Sequence, residues 1–168
     1  MTSQKSSWRE AVVYQVYPWT FNEDKEREPQ QGNGSIQGVT EKLPYLKDLG
    51  VDAIWISPPY NSPMVDGGYD ITNHTDINPS LGTIEDVDEL LTRSHELGIR
   101  LMLDFVPNHT SDQHEWFQKS RSREEGYDDW YIWHSGKVDE HGNRQPPNNW
   151  GSVFSIPQKI HARLPYYV

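Results

Sequence analysis

Residues 104–114, "DFVPNHTSDQH", crowd together five side chains that ionise, ligate or hydrogen-bond: Asp104, Asn108, His109, Asp112 and His114. Asp104 and His109 read equally as groups of a site or as hydrogen-bonding groups that finish a strand. His109 and His114 do not share a helical face as the histidines of an HExxH zinc helix do, so no zinc site is expected. A second grouping is "MVDGGYD", residues 64–70, where Asp66 and Asp70 flank Gly67, Gly68 and Tyr69. The glycines permit a tight turn with unusual dihedrals. A tyrosine on such a turn presents a ring face, and a neighbouring carboxylate accepts hydroxyl hydrogen bonds. A sugar uses both. A solvated Asp-Gly turn uses neither, and on these residues alone it is the commoner case. "YDDWYIWHSG", residues 127–136, packs aromatic rings among acids and reads as the core of a small subdomain before a cleft wall. The mixed-sign "KSRSREE" reads as a solvated face.

Positioning these groups falls to a regular alternation of elements. "AVVYQVYP" (11–18) is β-branched and aromatic and stops at proline, as a strand does. A charged loop with Pro29, Gly32 and Gly34 as breakers follows. "IQGVTEKLPYLKDLG" (36–50) has a helical apolar repeat, with Pro44 inside it to kink the helix or cost it a bond. "VDAIWISPPY" (51–60) is a second strand, and residues 61–82 read as a long loop without period. "TIEDVDELLTRSHELG" (83–98) is the clearest helix. Thr83 and Asp86 form a capping-box pattern, Ile84, Val87, Leu90, Leu91 and Leu97 a stripe, and Gly98 a stop. "IRLMLDFV" (99–106) is a third strand. All three strands are nearly continuously apolar, which predicts a parallel sheet covered on both faces. The first strand–helix turn has no glycine fingerprint, which weakens a dinucleotide fold. Long polar, aromatic loops after each strand favour a (β/α) barrel, whose chemistry sits at the strands' C-terminal ends.

The bulk composition narrows the partners. The 168 residues carry 15 basic and 25 acidic side chains, a net charge of −10 that argues against nucleic acid. Seven Trp and nine Tyr suit a wet, hydrogen-bonding cleft. With no Cys, disulfides and thiolate metal sites are excluded. No signal-peptide core and no apolar run of bilayer length is present, so a soluble cytoplasmic protein with no membrane partner is expected.

Four stretches together, "VYQVYPWTFNED", "YLKDLGVDAIWISPPYNSPMVDGGYDI", "INPSLGT" and "LMLDFVPNHTSDQHEWF", resemble glycoside hydrolase family 13, the α-amylase family. The α-glucosidase and oligo-1,6-glucosidase branch is the most similar. The resemblance runs from about residue 8 to about 154 in family order. It implies the N-terminal portion of a (β/α)8 barrel, about three strands over residues 1–110. The start of an inserted subdomain, at 111–154, and a non-family tail, at 155–168, would follow. It implies a retaining hydrolase or transglycosylase of carbohydrate metabolism, acting on α-linked glucosides or oligosaccharides. Asp66, Tyr69 and His109 would bind one glucose, with Tyr69 as stacking platform, and Asp104 would support the centre from the end of strand three. Asn108 matches a calcium ligand of the amylase branch whose role often lapses in glucosidases. A second calcium loop of relatives departs here to "NEDKEREPQQGNG". No cofactor and no metal is therefore expected.

The nucleophilic Asp and acid/base Glu of the family lie on later strands, so no catalytic residue is expected in this chain. The tail "SIPQKIHARLPYYV" departs from relatives and reads as a truncated or frameshifted frame. The expectation is an inactive fragment. A non-catalytic glucoside-binding module and one chain of a split enzyme, awaiting a C-terminal complement chain, are the alternatives. A three-strand arc should expose Ile54, Ile56, Leu101 and Leu103 on its inner face and be poorly soluble or molten alone.

Overall fold

A computed structural model describes residues 8–23, 34–148 and 166–167. The chain divides into two compact units, residues 1–114 and 115–168.

In the first unit, β1 (Val13–Val16) runs into α1 (Pro18–Phe21). Next come α2 (Ile36–Glu41) and α3 (Leu43–Asp48). The Ser35 hydroxyl caps α2 by accepting the Gly38 N–H at 3.0 Å. The single helix expected over 36–50 is thus two. Lys42 closes one and opens the other, and Pro44 sits in the first turn of α3, where its missing N–H leaves no bond unmade. Then β2 (Ala53–Ile56) leads to an antiparallel hairpin of β3 (Tyr60–Asn61) and β4 (Asn73–Ile77). That hairpin corrects the reading of 61–82 as structureless. Its strands are short and polar, so no period of two could show.

The helix α4 (Ile84–Glu96) carries the expected capping box: Asp86 N–H donates to Thr83 Oγ1 at 3.3 Å, and Thr83 N–H to Asp86 Oδ2 at 2.7 Å. Gly98, at φ +70°, ends it. Of the expected stripe, Leu90 is fully buried and Val87 and Leu97 pack on the core, but Ile84 and Leu91 are exposed. Only the line from Val87 through Leu90 and Ser94 to Leu97 faces the sheet, so the buried stripe is narrower than predicted. Last in this unit is β5 (Arg100–Leu103).

β1, β2 and β5 form one parallel sheet in that order. Its register sets Tyr14, Ile54 and Leu101 in one row and Val16, Ile56 and Leu103 in the next. These rows face the helices, in a core with Ile36, Val39, Leu43, Leu46 and Leu90. Ile54 and Ile56 are 0% exposed, which overturns their expected exposure on the inner face. The helix layer already covers them. The opposite face carries Val13, Gln15, Ala53, Trp55, Arg100 and Met102, and there Val13 and Met102 are exposed. Leu103 and Phe105, at the β5 margin, are exposed as well. Replacing a buried aliphatic such as Leu90 with alanine would cost about 2–5 kcal/mol, so the helix-facing core holds the unit together.

The second unit contains α5 (Glu115–Arg121) and four two-residue strands: β6 (Trp133–His134), β7 (Lys137–Val138), β8 (Arg144–Gln145) and β9 (Tyr166–Tyr167). Phe117 is buried against Tyr131 and Trp133, with centroids 5.1 and 5.4 Å away, and Trp133 Nε1–H donates to the buried Ser120 Oγ at 2.9 Å. The aromatic cluster is therefore partly core, while Trp130 and Ile132 stay exposed. β6 pairs with β9, so Tyr166 and Tyr167 of the tail join this unit. The remaining tail residues, like the expected breakers Pro29 and Gly32, lie outside the described residues.

Candidate functional site

Asp104 follows β5 directly, and its N–H donates to Ile56 O of β2 at 3.1 Å, continuing the ladder by one bond. Counting by twos from Arg100 through Met102 puts Asp104 on the inner, helix-free side. Tyr69 Oη donates to Asp104 Oδ2 at 2.8 Å, and the Phe105 N–H donates to Oδ1 at 3.0 Å. The Tyr60 hydroxyl donates to the Asp104 backbone carbonyl at 2.9 Å. Both carboxylate oxygens and the main chain of Asp104 are thus held.

Tyr69 is delivered by the loop after β2. Gly67 and Gly68 adopt φ +60° and +101°, and a Cβ on Gly68 would lie 3.1 Å from the Pro58 carbonyl. Glycine is needed there both for the dihedral and for the close approach. Asp70 organises the same loop, because its carboxylate accepts from Ser62 Oγ (2.7 Å), Val65 N (2.9 Å) and Asp66 N (3.1 Å). Asp70 is accordingly a builder of the turn rather than a free acceptor. The Asp66 carboxylate has no hydrogen-bond partner among the described residues and lies close enough to Tyr69 to act on its phenol electrostatically.

His109 closes the group from the chain after β5. Its Nε2 lies 3.1 Å from the Tyr69 carbonyl and its Nδ1 lies 3.0 Å from Asn108 Nδ2. A carbonyl only accepts, so Nε2 carries the proton and Nδ1 accepts from the amide. Asp104, Tyr69, His109 and Asp66 therefore converge. His114 does not join them: it is buried against His74, ring centroids 5.5 Å apart. Asn108 is turned to His109, and calcium requires six to eight oxygens. Among the described residues no group of three or more acidic, His or Cys side chains gathers that could hold a metal ion.

Sequence reasoning passed over Tyr60, whose hydroxyl holds the Asp104 carbonyl. It sits in "ISPPY", where only the apolar strand signal was read. A cavity of about 550 Å3 opens elsewhere, lined by Tyr14, Gln15, Tyr17, Phe21 and Tyr45. It wraps the outer margin of β1 and includes neither Tyr69 nor Asp104.

The Tyr17, Tyr60 and Tyr69 phenols are all held above the ordinary value of 10.0, chiefly by burial, with Asp104 adding to the effect at Tyr60 and Tyr69. The folded chain thus grips these protons more tightly than the unfolded chain. The stabilisation is complete below the unfolded value and is lost as pH climbs through the raised ones. The melting temperature is expected to fall as pH passes above about 10, followed by circular dichroism. The fall should be smaller in Tyr69→Phe, and an equal fall would contradict the coupling.

An arc of parallel βα units with polar and aromatic groups at the C-terminal ends of its strands is what the first part of a (β/α)8 barrel presents. The family description "Alpha amylase, catalytic domain" matches residues 15–160, and the chain belongs to that family. It is 52% identical over 148 residues to maltase 1 of Drosophila virilis, covering 88% of this chain and 23% of that one. It is 53% identical to an alpha-glucosidase of Apis mellifera, over 85% of this chain and 24% of the relative. Among solved structures, a mutant of MutB in complex with the substrate sucrose is 48% identical, with a TM-score of 0.75 over 86% of this chain and 25% of that chain. The chain thus spans about a quarter of the length of the relatives it matches and corresponds to the N-terminal portion of their barrel.

Proposed function

We propose that this chain supplies the floor of a glucose-binding pocket in a retaining, α-glucosidase-type enzyme acting on α-linked glucosides. The observation that carries the reading is the convergence on Tyr69. Its hydroxyl is fixed by Asp104, its carbonyl by His109, and an uncommitted Asp66 carboxylate stands beside it. A ring held at both ends offers a face for a sugar to stack on, and Asp66 offers an acceptor for sugar hydroxyls. Relatives solved with sucrose and with D-glucose support the ligand class.

Retaining cleavage needs a nucleophilic carboxylate and a carboxylic acid about 5 Å apart across the scissile bond. Asp70 is committed to its loop and Asp104 to Tyr69 and Phe105. On this reading the cleaving pair comes from later strands of the barrel, as the family resemblance implies, and the residues here bind and orient.

Titration of the 15N-labelled chain with maltose tests this. Amide signals of Gly68, Tyr69 and His109 should shift at millimolar sugar, with no glucose released. Absence of these shifts, or release of glucose by the chain alone, contradicts the reading. Micromolar affinity would instead favour a stand-alone glucoside-binding module.

A further inference from the structure

We infer that Asp70 and Ser62 are positioning residues for Asp66 and Tyr69, holding in one fixed shape the stretch of main chain from which both project. Three successive backbone N–H groups close on them. The Met64 N–H donates to Ser62 Oγ at 2.9 Å, the Val65 N–H to Asp70 Oδ2 at 2.9 Å and the Asp66 N–H to Asp70 Oδ1 at 3.1 Å. The Ser62 hydroxyl donates in turn to Asp70 Oδ1 at 2.7 Å. The direction of that last bond is fixed, because a carboxylate only accepts and a Ser62 lone pair already holds Met64. Successive N–H groups turned to one side form an anion-binding concavity. Here the anion is the chain's own carboxylate.

The local sequence builds this cradle. Pro63 has no N–H and biases Ser62 toward extended backbone, so the first donor after the Ser62 hydroxyl is that of Met64. Met64 adopts φ +62°, a left-handed conformation that a residue other than glycine takes at a cost. Its bond to Ser62 and the packing of its side chain on the core hold it there. Ser62 is itself tied down, since the Asn78 side-chain amide, just beyond β4, donates to its carbonyl at 3.3 Å. From Asp66 the chain turns through Gly67 and Gly68, closed by the Tyr69 N–H on the Asp66 carbonyl at 3.0 Å. The cradle therefore fixes the residue at which that turn begins. Asp66 and Tyr69 stand in place before any ligand arrives, which spares the ordering cost that a mobile loop would meet on binding. That these two residues meet a sugar rests on the function proposed above; the cradle does not.

Amide hydrogen exchange of the whole 15N-labelled chain, followed by maltose titration of the same samples, tests this. Asp70→Asn keeps the shape but offers one accepting oxygen to three donors. At least one of the Val65 and Asp66 N–H groups then loses its acceptor, whichever way the new amide turns. Its exchange should quicken about tenfold, as for the loss of a bond to a charged group, and maltose affinity should fall by a similar factor. Ser62→Ala should quicken the Met64 amide and weaken maltose binding. Ser62→Thr, which restores the hydroxyl, should slow that amide again and recover the binding. Unchanged exchange at residues 64–66 in both Asp70→Asn and Ser62→Ala overturns the cradle. Quickened exchange with maltose affinity unchanged overturns the positioning role, because the bonds would then serve stability alone. Should Asp70→Asn fail to fold, Ser62→Ala and Ser62→Thr decide by the same two readings. If the unsubstituted chain gives no maltose shifts, the sugar reading fails, and the exchange rates decide the cradle by themselves.

Discussion

Alanine in place of Gly34 is expected to unfold the first unit or to cost it more than about 3 kcal/mol. A Cβ at this position would run into the Pro18 carbonyl and lie 2.6 Å from the carbonyl carbon and 2.8 Å from the carbonyl oxygen of Trp19. These are main-chain atoms of α1, which cannot swing aside as a side chain would. The Gly34 N–H also donates to Trp19 O at 2.8 Å, so the two segments cannot part without losing that bond. Relief would require α1 to move, and α1 carries Trp19, 2% exposed in the same core as Ile36 and Val39. Urea denaturation of the two chains would measure the loss. A midpoint equal to that of the unsubstituted chain would show that the close approach is absent.

Tyr69→Ala is the second large effect. Removing the ring deletes the stacking face, and burying an aromatic face against an apolar ligand surface is worth about 2 kcal/mol, or roughly thirtyfold in affinity. Affinity that begins in the millimolar range would then fall beyond measurement. The substitution also leaves Asp104 Oδ2 without its donor. Tyr69→Phe separates the two losses: it keeps the face and drops only the hydroxyl, so it should retain measurable maltose shifts. Equal loss in both variants would mean that the hydroxyl, not the ring face, carries the binding.

The strands were legible because three apolar runs of strand length ended at proline or turned abruptly polar. The helix α4 was legible because Thr83, Asp86 and Gly98 mark its ends by local chemistry. The hairpin of β3 and β4 was not, since polar residues such as Asn73, His74 and Thr75 leave no alternation to read. Facing was misjudged at Ile54 and Ile56 because a continuously apolar strand does not say which of its two faces meets helices. Within the site, type and spacing singled out Asp104, Tyr69, His109 and Asp66 but left a structural role open, and only the family resemblance joined them in one site. Tyr60 was not singled out, because its partner Asp104 lies 44 positions further along the chain. Asp70 looked like the twin of Asp66. Only the loop geometry separates a carboxylate bonded three times from its own turn from one left open.

The sheet order β1, β2, β5 follows the order of the chain itself. Each strand lies beside one already synthesised, and no later strand must wedge between two earlier ones. That order is compatible with each strand pairing, as the chain is made, with one already outside the ribosome.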